Sequence, residues 1–218
     1  MVRERLIVPE MLDHAPPAEA RANLEDLVRI NRYFGAYGIL RGMMRGLVRS
    51  DERFSVLDVG AASGDMGAAL KRSYPRAIVT SLDQRDVHLA VASQPKIVAD
   101  AFRLPFRAAS FDFVFSSLFL HHFSNSEILE LLSGFRLLAR RAVLIIDLDR
   151  GPLAYYFLPL TRWLFHWRSI TLNDGPISVQ AGFKKDELLA LARDAGLREA
   201  RVRVHRPWAR LSLVGRVA

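Results

Sequence analysis

The chain has 218 residues, half of them apolar, with 13 glycines and no cysteine. That is enough for one domain with a full core, and it excludes disordered, collagen-like and disulfide-framework classes. The net charge is +8, and only four of the 31 basic residues are lysine. An arginine excess suits phosphates or anionic headgroups, but here the arginines are scattered rather than massed. Without cysteine there is no disulfide, no thiolate zinc site and no cysteine nucleophile.

The first residues, from Met1 to Glu10, are charged and hold no apolar run of secretory length, so the N-terminus reads as mature and the protein as cytoplasmic. Before residue 50 the pattern is helical. Pro16-Pro17 can open a helix, and Leu24, Leu27, Val28 and Asn31, then Tyr37, Leu40, Met44, Leu47 and Val48, recur at spacings of three to four. Two N-terminal helices are expected.

After Ser50 short apolar runs at 54–59, 77–82, 97–99, 111–116 and 142–148 alternate with helical candidates near 64–73, 86–92 and 125–140. This alternation predicts a parallel sheet covered on both faces. Then comes an aromatic segment, 151–172, too short and too interrupted by Pro159, Thr161 and Arg162 to cross a bilayer, though able to serve as a lid or a peripheral membrane contact. A helix over 184–195 ends at Gly196. Runs at 201–205 and 210–217, so close together, predict an antiparallel hairpin. The fold class is thus α/β, a Rossmann-like doubly wound sheet of seven strands with an antiparallel C-terminal hairpin. One domain is expected, divided into a helical cap (1–50), a core (51–148), a lid (149–183) and a C-terminal helix and hairpin (184–218).

The run Val56-Leu57-Asp58-Val59-Gly60-Ala61-Ala62-Ser63-Gly64-Asp65 sets a small-residue loop between an apolar strand and a helix. Ligands of open parallel sheets sit there, at the carboxyl ends of the strands. A dinucleotide fingerprint would want glycines at 60, 62 and 65, where this chain has Gly60, Ala62 and Asp65, so a pyrophosphate would meet a carboxylate. Nor does Lys-Ser or Lys-Thr follow, as a Walker loop requires.

Four motifs in order, Asp58 to Gly64, Ser81-Leu82-Asp83-Gln84, Ala99-Asp100-Ala101 with Leu104-Pro105-Phe106, and Phe111 to Ser117 running into Leu120-His121-His122-Phe123, resemble the class I S-adenosylmethionine-dependent methyltransferases. Pro9-Glu10, Ile30-Asn31-Arg32, Asn173-Asp174-Gly175 and Ala195-Gly196-Leu197 are similar to small bacterial members. The departure is Ala62, where glycine is commoner and a methyl group narrows the loop.

That resemblance implies S-adenosylmethionine as cofactor, with Asp58, Gly60, Ala61, Ala62, Gly64, Asp83, Gln84, Asp100, Ala101 and Ser116 around it. Gly60 to Gly64 would pack along the methionine, Asp58 would orient the loop and the amino group, and Asp83 would accept both ribose hydroxyls. Asp100 with the Ala101 N–H would read the adenine edge. Asn31-Arg32 could reach the cofactor carboxylate. For a hydroxyl acceptor a proton must leave, and His121, His122 and Asp174, the last in a loop before the final helix, are the candidate bases.

Tyr155, Tyr156, Phe157, Trp163, Phe165 and Trp167 would wall an apolar pocket for a small-molecule acceptor, phenolic or polyketide-like, methylated on oxygen. Two other readings compete. RNA methylation is suggested by Arg198, Arg201, Arg203, Arg206, Arg210 and Arg216, but Ser116-Ser117-Leu118-Phe119 replaces the Asn/Asp-Pro-Pro-Tyr motif of base-amino methylation. The other is a non-catalytic binding protein with this fold. No HExxH-type spacing is present, so no metal is expected.

Overall fold

Strands β1 (Ser55–Val59), β2 (Ile78–Asp83), β3 (Lys96–Val98), β4 (Phe111–Ser117) and β5 (Ala139–Leu148) run parallel in the computed structural model, which describes residues 4–217. For Asp13 and His14 it describes the backbone alone, and the expectation placed on Met1 to Arg3 lies outside the described residues. Strand β7 (Arg210–Arg216) enters antiparallel between β5 and β6 (Arg198–His205), giving the order β3-β2-β1-β4-β5-β7-β6. The expected sheet of seven strands and its C-terminal hairpin are both present.

Side chains alternate across the sheet, so each apolar strand feeds two cores. Leu57, Val114, Val143 and Ile145 pack against α5 (Asn125–Leu138) and α8 (Lys185–Asp194). On the opposite face, Val56, Phe113, Phe115, Leu144 and Ile146 meet α3 (Ala36–Arg45) and α4 (Asp65–Ser73). Helix α5 starts at Ser124, whose hydroxyl accepts from the Glu127 N–H while the Glu127 carboxylate accepts from the Ser124 N–H. That reciprocal cap, worth about 1 kcal/mol, fixes where the chain after β4 turns back.

Three expectations need correction. The N-terminal part holds α1 (Met11–His14), a single turn, besides the two expected helices α2 (Pro17–Tyr33) and α3. The candidate helix over 86–92 is reduced to a 3-10 turn, His88–Val91. The aromatic segment and the loop after it are two helices, α6 (Pro152–Phe165) and α7 (Ser169–Ala181), each with a proline inside. Gly175 makes their packing possible, since a Cβ there would run into Leu158.

Helix α6 has no buried residue. Leu153, Tyr156, Leu160, Trp163 and Leu164 form an exposed apolar face, with Leu160 and Trp163 each 77 % accessible. No helix among the described residues is long and apolar enough to cross a membrane.

Candidate active site

Motif I folds as the small residues demand. Gly60 and Gly64 both adopt φ +68, and a Cβ on Gly60 would stand 2.5 Å from the Phe119 ring, one on Gly64 2.8 Å from the Ala92 Cβ. Neither position has room for a side chain. Ala62 also lies in the left-handed region, at φ 47. The departure from glycine there costs backbone strain of about 1–2 kcal/mol rather than room, and the Ala62 N–H is held by donating to Asp83 Oδ2 at 3.0 Å.

Asp83, at the end of β2, also accepts from the Arg85 N–H at 3.0 Å and faces His88 Nδ1 at 3.2 Å. Burial pushes its carboxyl up, but the His88 contact and the two N–H donors outweigh that, and it stays below the ordinary value. Asp58 behaves oppositely. Full burial, with Asp65 and Asp83 nearby, raises its pKa well above normal, and its Oδ2 has no hydrogen-bond partner among the described residues. Asp58 thus supports the loop from beneath, and the acids of the motif set that face the cavity, Asp83 and Asp100, fit a group that brings positive charge and hydroxyls, as S-adenosylmethionine does.

A cavity of about 860 Å³ opens over this loop. Gly60, Ala62, Asp83, Gln84, Asp100 and Ala101 line it at one end. Asp100 Oδ1 accepts from the Phe102 N–H, a tight turn that aims the carboxylate. Four expected contacts are displaced: Asp58 is buried beneath the loop and does not line the cavity. Ala61 and Gly64 shape the loop from behind, and Ser116 is fully buried, its hydroxyl donating to the Val59 carbonyl at 2.8 Å.

The far end is apolar, walled by Phe34, Leu153, Ala154, Phe157, Leu158 and Trp208. Of the six aromatic residues expected there, Phe157 alone lines the cavity. Tyr156 and Trp163 face outward, while Phe165 and Trp167 stack at 4.9 Å beside Phe34. Helical periodicity turns only a quarter or so of α6 toward any one surface.

All three candidate bases line the cavity, but their partners differ. His121 is buried with Nδ1 2.7 Å from Asp147 Oδ1 and Nε2 3.6 Å from Glu10 Oε1. Burial presses its pKa down, yet Asp147 and Glu10 raise it to about 9, so the ring is an imidazolium at neutral pH. Asp174 lies inside α7, not in a loop, and its oxygens accept from the Met11 and Leu12 N–H groups at 2.9 and 3.0 Å. It caps α1. His122 is stacked on His121, lines the cavity, and keeps 28 % of its side chain accessible.

Asp147 was missed in the sequence, Glu10 was read there only as part of Pro9-Glu10, and Arg210 only as one of a basic run. Asp147 had a signal, an acid near the carboxyl end of a core strand. Glu10, His121 and His122 bring their side-chain ligand atoms within 4.8 Å of one another, a grouping absent from local spacing. The buried imidazolium already supplies positive charge there. Asn31 is buried, donating to Asp65 Oδ2 and facing Arg210 Nη2 at 3.4 Å, whereas Arg32 is exposed against Tyr33.

Residues 57–146 match the family model described as "Methyltransferase domain". No curated protein matches the chain. Among solved structures, the methyltransferase in complex with the Haloferax volcanii Trm112 activator is 17 % identical, covering 96 % of this chain and 99 % of that one, with a TM-score of 0.66. Magnesium protoporphyrin IX methyltransferase from Synechocystis PCC 6803, bound to SAH, is 15 % identical over 85 % and 83 %, at 0.58. A Nostoc punctiforme protein described as an O-methyltransferase is 18 % identical over 84 % of this chain, at 0.62, and the chain spans only 56 % of its length. The fold is therefore that of the class I S-adenosylmethionine-dependent methyltransferases, as the motif order implied.

Proposed function

We propose that the chain transfers a methyl group from S-adenosylmethionine to the oxygen of a small, largely hydrophobic acceptor, phenolic or polyketide-like, in the cytoplasm. The observation that carries this reading is the cavity, which joins the motif loop to an apolar chamber. Its volume lies near the top of the ~300–1,000 Å³ range of small-molecule sites, room for a cofactor and a second molecule. When bound, the cofactor supplies a sulfonium-activated methyl group.

Gly60 and Ala62 would lie against the methionine, with Asp58 supporting the loop beneath them, Asp83 would face the ribose, and Asp100 with Ala101 the adenine. Phe157, Leu158 and Trp208 would exclude water from the acceptor, which keeps the transfer productive. His122 is the base whose position lets it meet an acceptor hydroxyl, and Glu10 and the His121 imidazolium fix its surroundings.

RNA as acceptor is less well supported. Arg201 and Arg203 are exposed and alternate with the buried Val202, the pattern of a solvated strand face. Labelled S-adenosylmethionine offered with phenols, hydrophobic acids and total RNA tests the choice. Label on the small molecules is expected, label on RNA alone overturns the acceptor class, and failure to bind cofactor at high micromolar concentration overturns the enzyme.

A further inference from the structure

Arg210 opens β7, faces Leu148 at the end of β5, and lines the cavity beside Pro207, Trp208 and Ala209. It is only 2 % exposed. Its Nη1 has no hydrogen-bond partner among the described residues, and its Nη2 has one long contact, 3.4 Å to the side-chain oxygen of Asn31. No carboxylate among the described residues lies within ion-pair distance. Asp147 and Asp65 act on it only from farther off.

A buried guanidinium left short of acceptors is costly, several kcal/mol for an unpaired ion, and a fold keeps one where a ligand completes it. We infer that Arg210 is the seat of a carboxylate carried by the acceptor, so that the acceptor is an amphiphilic acid, apolar along Phe157 and Leu158 and anionic at Arg210.

Three features favour the acceptor over the cofactor as the source of the anion. Between β1 and β7 stand β4 and β5, so the Arg210 backbone starts three strand spacings, about 14 Å, from β1, its guanidinium reaching back to Asn31, which bonds Asp65 at the start of α4. That backbone lies on the side away from Asp83 and Asp100. The chamber around it is the apolar end, where a lone fork of N–H donors would orient an otherwise featureless molecule. A planar guanidinium binds a carboxylate through two parallel hydrogen bonds, and the neutral amide of the same shape forfeits the charge-assisted part.

This inference rests on the small-acceptor reading above, but its test does not need methyl transfer. The full chain, saturated with S-adenosylhomocysteine, is titrated calorimetrically with 1-naphthoate and with neutral 1-naphthamide. Wild type is expected to prefer the acid at least about tenfold, and Arg210→Met to lose that preference. Arg210→Lys should keep part of it. Because methionine replaces a poorly paired buried charge with apolar volume, the ligand-free variant should melt no lower than wild type.

Equal binding of acid and amide by wild type overturns the inference, as does an Arg210→Met variant that still discriminates. Weakened S-adenosylhomocysteine binding in that variant, with discrimination untouched, also overturns it and assigns the anion to the cofactor. If the acid binds as expected but no phenol or acid is methylated, the proposed reaction fails and the carboxylate seat stands.

Discussion

The Nδ1 of His121 lies 2.7 Å from Oδ1 of Asp147, and both side chains are buried, His121 at the wall of the cavity and Asp147 behind it. With Glu10 facing the other ring nitrogen, the proton on His121 is shared among carboxylates rather than available for exchange with an acceptor. The pair therefore works as structure, and its worth varies with pH. His121 has a folded pKa of about 9 against an ordinary 6.5, so its contribution is complete below about pH 6.5 and is lost as pH rises through about 9. The upper bound is about 3.5 kcal/mol at ~1.4 kcal/mol per unit. Urea unfolding at pH 6.5 and 9.5 should show wild type losing stability over this interval and Asp147→Asn losing much less. Equal losses would detach the effect from this pair.

Gly60→Ala should impair both fold and site. The new methyl group meets the Phe119 ring, and alanine must also hold φ +68. Strain of about 1–2 kcal/mol is expected from the backbone alone, with a matching fall in melting temperature and weaker S-adenosylmethionine binding by calorimetry. A variant with wild-type affinity would show that the loop does not touch the cofactor.

Asp83→Ala removes the acceptor for the Ala62 and Arg85 N–H groups as well as the acid that faces the cavity. Cofactor affinity should fall at least about tenfold, roughly 1.4 kcal/mol, with Asp83→Asn intermediate because one acceptor survives. Unchanged affinity in the alanine variant would mean that the ribose lies elsewhere.

Asp174→Asn separates a cap from a base. The asparagine retains one acceptor for the Met11 and Leu12 N–H groups but loses the negative charge near the start of α1. A melting temperature lower by a few degrees and an unchanged pH profile of turnover are expected. Loss of turnover with a shifted profile would restore Asp174 as a proton acceptor.

The strands of the core and the motif loop could be read from residue order because their causes are local: apolar runs, small residues and an acid at or near the carboxyl end of each of β1, β2 and β3. Asn173-Asp174-Gly175-Pro176 misled for the converse reason. Its turn propensity is real, but tertiary packing overrides it, Gly175 admitting Leu158 and Asp174 serving a helix far away in sequence. The inward and outward faces of α6 were equally obscure, since a helix apolar on nearly every side has no periodicity to orient it. Arg210 looked like one more member of a basic run, and only the sheet order puts it inside the cavity.

Helix α6 forms a wall of the chamber through Ala154, Phe157 and Leu158, yet none of its residues is buried. The sheet and its two cores do not depend on where that helix sits. The helix packs on α7 and α2, with Leu158 against Gly175, Phe157 and Phe165 against Phe34, and the Phe165 carbonyl accepting from Arg29, so moving it would disturb those helices while leaving β4, β5 and the motif loop in place. A molecule passing under α6 would therefore strain the helical cover of the cavity rather than the sheet that carries the motif loop.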